Sequence, residues 1–175
     1  MQHTYQRRSP ARCSDDDRFS VESVVLFCHL LGAFLLVSGI VVTGVAFEAA
    51  RRGQTPLQIA TLLGLARVGA LLVVVGTLLV GAFGFWLVEL GGFGYAAGWL
   101  DAALALLAVS IVLGAIGGRR PKRARHLAVA EINARDASSE LRRLLDDRGA
   151  RTLNYLAALL IVVIIALMVF KPGAA

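Results

Sequence analysis

Two cysteines are too few to staple this chain. Cys13 stands in a polar N-terminal stretch and Cys28 in a long apolar one, so they are not expected to pair, and there is no CxxC motif. Histidine is equally scarce: His3, His29 and His126 fall one to a region, with no HExxH among them. No P-loop is present, and no glycine-rich GxGxxG run follows a strand-like segment. These absences remove the sequence signatures of zinc proteases, P-loop nucleotide hydrolases and dinucleotide-dependent enzymes. Also missing is the periodic apolar striping of helices with one wet face; the apolar residues come in unbroken blocks. A cleavable signal is not expected. The first block is too long for one, and Phe47-Glu48-Ala49-Ala50-Arg51-Arg52 after it offers no small-residue cleavage site.

What the chain has instead is length of apolar sequence. Of its 175 residues 57% are hydrophobic, against about 45–50% in a soluble domain. Four stretches, about 21–47, 65–90, 99–116 and 153–170, are each long enough for a hydrocarbon core that needs about 20 residues of helix. The expected fold is an all-α integral membrane four-helix bundle occupying residues 21–172. A disordered arm, 1–20, precedes it. The first span should stop at Arg51-Arg52-Gly53, and a new helix should begin at Thr55-Pro56, an N-cap followed by proline in the first turn. Phe83, Phe85, Trp86, Tyr95 and Trp99 flank an uncharged turn at 91–98 and mark one membrane face. The one large loop, 119–151, should carry two short amphipathic helices at the membrane surface, about 122–134 and 137–147. Their apolar sides are read as Leu127, Val129 and Ile132, then Leu141, Leu144 and Leu145. Lys171-Pro172 ends the last helix.

A net charge of +6 does not signal nucleic acid here, because the basic residues gather in the segments between the apolar blocks. Loop 119–151 holds ten Lys or Arg residues, and Arg51, Arg52 and Arg67 lie on the same side of a four-span chain. The other side has four arginines in the arm and Lys171. Thirteen against five favours the loop in the cytoplasm and both termini outside.

This topology brings four ionisable residues to the outer third of the bundle: His29, Glu89, Asp101 and Lys171. Glu89, Asp101 and Lys171 lie near the headgroups, where an interfacial or paired role suits them. His29 lies about 12 Å deep at 1.5 Å per residue. It is either a neutral histidine bonded between helices, or a ligand to haem or copper, or a proton carrier. Its face continues through Gly32, Leu36, Gly39 and Thr43, and Gly69, Gly76, Gly81 and Gly84 on the second span suit close helix packing. Copper would recruit His29 with Asp101, Glu89 or Cys28. A haem would use His29 as axial ligand with Lys171 beside a propionate; with one intramembrane histidine, a bis-histidine site needs a second copy. At the other end, Arg67, Asn154 and Tyr155 are interfacial anchors, and Arg119, Arg120, Lys122, Arg123 and Arg125 form a basic cluster facing anionic lipid.

Several short runs recur in a recognisable order: Cys28-His29-Leu30-Leu31-Gly32, Trp99-Leu100-Asp101-Ala102-Ala103, Gly117-Gly118-Arg119-Arg120-Pro121, Leu153-Asn154-Tyr155 and Met168-Val169-Phe170-Lys171-Pro172. Over about residues 22–172 their order and spacing resemble the domain-of-unknown-function 2269 family of bacterial integral membrane proteins. That family is similar to copper-resistance-D-like proteins and to four-helix haem-binding protoporphyrinogen oxidases. In the oxidases a first-span histidine and a late lysine serve haem and substrate; the positions implied here are His29 and Lys171. The large charged loop departs from the oxidase pattern, so the resemblance implies a fold rather than an activity. The expected function is a non-catalytic structural or assembly factor, partnered by the lipid bilayer and by a second copy or another membrane protein. The alternatives are a protein binding haem b, porphyrin or copper through His29, and a small proton-linked transporter. The absence of an inverted repeat weighs against transport.

Overall fold

The computed structural model describes residues 11–90 and 98–170. The aromatic turn, Lys171, Pro172 and the start of the arm lie outside the described residues. Among those described there are six helices: α1 Ala11–Arg52, α2 Pro56–Leu90, α3 Gly98–Gly117, α4 Arg119–Ala130, α5 Ser139–Leu145 and α6 Arg148–Phe170. Four spans are long and apolar enough to cross a membrane, as the sequence required. α1 begins at Ala11, so helix rather than irregular chain covers the second half of the expected arm. No glycine or proline interrupts residues 11–31, and extending an existing helix is far easier than starting one.

The break between α1 and α2 is local chemistry. The Gly53 N–H closes on the Ala50 carbonyl (3.1 Å), and the Thr55 hydroxyl accepts from the Gln58 N–H (3.4 Å). Pro56 then opens α2, where its missing N–H costs nothing. α2 has 35 residues, about 52 Å at 1.5 Å per residue, which exceeds a hydrocarbon core of about 30 Å. The surplus lies in its first turns, which serve as a docking surface.

α1 and α2 run antiparallel with their backbones in contact. A Cβ on Gly39 would lie 2.6 Å from the Gly69 carbonyl oxygen and 2.7 Å from the Val73 nitrogen. One on Gly76 would lie 2.5 Å from the Leu36 nitrogen, and one on Gly32 would lie 2.7 Å from the Leu79 Cβ. Such approach is open only to glycine, and in lipid it is van der Waals packing of this kind, not the hydrophobic effect, that holds helices together. Two interhelical hydrogen bonds bracket the seam: His29 Nδ1 to the Val80 carbonyl (3.1 Å) and the Thr43 hydroxyl to the Ala66 carbonyl (3.4 Å). α3 and α6 form the second antiparallel pair, with Asn154 and the Ala150 carbonyl packed over Gly117. Leu36, Ala103, Ile161 and Ile164 join the two pairs at mid-bundle.

The best-buried core is at the loop end. Phe47 and Ala50 of α1 and Ile59 and Leu63 of α2 meet Ala124 and Ala128 of α4 and Leu141 and Leu145 of α5. The loop helices therefore dock on the helical pair. Their bounds differ from expectation, and so does the side α4 buries. Val129 and Ile132 are exposed, while Ala124 and Ala128 are fully buried with Leu127 partly so. Small alanines let α4 lie close against α2, which a stripe of large residues would prevent. On α5 the expected Leu141, Leu144 and Leu145 do face the core. Ser138 caps α5 by accepting from the Leu141 N–H (3.2 Å), and its own N–H donates to Glu131 (3.2 Å).

Candidate functional site

His29 sits half-buried in the α1–α2 seam. A carbonyl can only accept, so Nδ1 is the donor in the bond to Val80. The same carbonyl is reached because Gly84, one turn on, has no side chain. A Cβ there would lie 3.2 Å from the His29 Cε1 and 3.3 Å from Nδ1. Gly84 therefore completes the seat, as the sequence suggested for the glycines of α2. Gly81 does not take part; nothing lies within 4 Å of where its Cβ would be. Among the described residues Nε2 takes no hydrogen bond.

The other residues read as sharing this level do not join His29 in the seam. Asp101 is exposed in the first turn of α3, and Glu89 is exposed near the end of α2. Cys28 is a half-buried free thiol beside His29 in sequence. Lys171 lies outside the described residues. Among the described residues no three His, Cys, Asp or Glu side chains gather into a metal-ligating group, so the copper set is not assembled there. Phe83 and Trp86 stack, ring centroids 6.2 Å apart, on the last turns of α2.

At the loop end Arg119, Arg120, Lys122 and Arg123 are exposed and Arg125 is half-buried, its Nε buried with no hydrogen-bond partner among the described residues. Arg51 links α1 to the loop, donating to Asp146 (2.9 Å) and to Glu48 (3.0 Å). Arg120 pairs with Asp147. Tyr155 is exposed, consistent with an interfacial place, whereas Asn154 is turned onto Gly117.

The model of a family described as predicted integral membrane proteins, DUF2269, matches residues 23–172. The chain belongs to this family. No curated protein and no solved structure matches it. The DUF2269 match takes in the α1–α2 seam, the α4–α5 unit and all of α6, and leaves out the residues before 23.

Within this DUF2269 chain, two features escaped sequence reading. One is the Arg51–Asp146 tie, between residues 95 apart in sequence; an arginine after a span reads only as an orientation signal. The other is an open groove between α4, α5 and α6 lined by Arg120, Arg143 and Arg148. Arg143 and Arg148 could be counted in the sequence, but only the fold brings them to Arg120.

Proposed function

We propose that this protein is a non-catalytic membrane scaffold or assembly factor, set in a bacterial inner membrane. The α4–α5 unit then lies in the cytoplasm, and the N-terminal arm and the far end of α6 lie outside. The observation that carries this reading is the docking of α4 and α5 on α1 and α2 through Ala124, Ala128, Leu141 and Leu145. Their burial leaves an arginine-rich outer side on a fixed base. A rigid, positively charged platform at one membrane face suits the holding of another membrane protein or a second copy. The glycine seam adds stiffness beneath it. In this reading His29 is a packing group that fastens α1 to α2.

The test is spectroscopic. Protein purified from haem-supplemented cells is expected to be colourless and free of stoichiometric metal. His29→Ala should lose only a hydrogen bond and some packing, on the order of 1 kcal/mol. A Soret band in the wild type that vanishes in His29→Ala would replace the scaffold with a second reading, that of a haem b or porphyrin site. One observation favours that reading: Nδ1–H is held by a carbonyl, the usual arrangement of a histidine that ligates through Nε2. Gly84 lies too close for a flat ligand to enter the seam. The ligand would approach from outside it, with Lys171 at a propionate, Asp101 beside it, and His29 of a second copy opposite.

The orientation is tested separately. In intact cells Cys13 should react with an impermeant thiol reagent, and a cysteine introduced by Ala134→Cys should be protected. The reverse pattern turns the topology over.

A further inference from the structure

Beside the Arg51 tie, the ends of α4, α5 and α6 border a shallow, open surface groove of about 540 Å³ lined by Arg120, Glu140, Arg143, Asp146, Asp147 and Arg148. Most of its charge is already committed. Asp146 is held by Arg51 (2.9 Å). Asp147 is held by Arg120 and accepts from the Gly149 N–H (2.9 Å). Arg143 and Arg148 have no ion pair among the described residues, and they face one remaining carboxylate, Glu140. The lining carries three arginines and three carboxylates. Arg51, which Asp146 shares with Glu48, reaches in from outside the lining. Arg143 and Arg148 are therefore left as two guanidinium groups against one carboxylate, an arrangement that suits a phosphodiester, whose oxygens accept from planar donors.

The depth is right for a headgroup. Arg148 precedes the apolar run of α6 at Leu153 by about 7 Å of helix, while polar headgroups extend about 5–7 Å beyond the hydrocarbon on each side. The surface leading away from the groove is right for acyl chains. From Arg148, residues Thr152, Tyr155, Leu159 and Val162 follow at alternating spacings of four and three along one exposed face of α6. On α3, exposed Val112 and Ile116 lead up to Arg120.

We propose that this groove binds the phosphate of an anionic phospholipid, such as phosphatidylglycerol, with the headgroup hydroxyls donating to Glu140 and the acyl chains lying along the Tyr155–Leu159–Val162 face. The site shares Arg120 with the basic cluster at 119–125 but rests on Arg143 and Arg148 rather than on diffuse attraction by that cluster, and it holds whether or not the chain is a scaffold. A zwitterionic headgroup leaves the extra charge unmatched.

The experiment is thermal unfolding of the full chain in detergent with added lipid. Phosphatidylglycerol should raise Tm by about 5 °C over phosphatidylcholine. The paired variant Arg143→Gln with Arg148→Gln should lose most of that gain, both residues being exposed. Arg119→Gln with Arg123→Gln, two exposed positions of the basic cluster, should keep it. The proposal is overturned if the first pair retains the gain, if phosphatidylethanolamine or phosphatidylcholine matches phosphatidylglycerol, or if inorganic phosphate alone reproduces it. Native mass spectrometry of the wild type gives an independent reading: one retained phosphatidylglycerol supports the site, and none retained overturns it.

Discussion

Gly39→Leu is expected to lower the thermal stability of the detergent-solubilised protein by on the order of 10 °C, corresponding to about 3 kcal/mol or more. The first side-chain atom alone would meet the Gly69 carbonyl oxygen at 2.6 Å and the Val73 nitrogen at 2.7 Å. Both are backbone atoms of a helix. Neither can swing aside as the tip of a flexible side chain would, so the two helices must part. Parting them also weakens the Thr43 and His29 hydrogen bonds at either end of the seam. Two controls isolate the cause. Val41→Leu, on an exposed face of the same helix, should be silent. Gly44→Ala, where nothing lies within 4 Å, should be neutral or stabilising by up to about 1 kcal/mol from helix propensity. Gly69→Leu should cost about as much as Gly39→Leu, and the double variant less than the sum, because a seam already opened has less to lose. Equal Tm for Gly39→Leu and Val41→Leu would show that the seam is not where the geometry puts it.

The seam also marks how far the sequence could be read. Four spans were legible because a bilayer demands about 20 apolar residues per crossing and tolerates few charges. The α1 face at Gly32, Gly39 and Thr43 was legible because small residues at heptad-like spacing have little other use on a spanning helix. Rotation about each helix axis was not. Helices apolar all round carry little periodic signal to say which side faces inward. Glu89 and Asp101 are thus found exposed, while His29 faces the seam. The same weakness misassigned α4. Hydrophobicity picks out Val129 and Ile132, but close packing selects Ala124 and Ala128, and alanine looks alike on either side of a helix. The arginine-lined groove needed the fold outright, because it is built from the ends of three helices.

Leu141→Ala is expected to release the α4–α5 unit while leaving the spanning helices packed. Leu141 is fully buried among residues of α1, α2, α4 and α5, and truncating a buried leucine costs about 2–5 kcal/mol. The ion pair that also ties the unit down is weaker. Asp146 is 67% exposed, and exposed pairs contribute up to about 1 kcal/mol. The apolar core should therefore dominate the docking. The measurement is trypsin cleavage after Arg142 and Arg143, which are exposed but held in helix α5 until the unit opens locally. Where opening is fast relative to cleavage, the rate follows the open population. Leu141→Ala should then be cut about 30-fold faster or more, since each 1.4 kcal/mol is tenfold, and Arg51→Ala about fivefold faster at most. Leu156→Ala, on an exposed face of α6, should be cut at the wild-type rate. If Arg51→Ala instead accelerated cleavage as much as Leu141→Ala, charge rather than burial would hold the unit in place, and the platform would loosen with added salt.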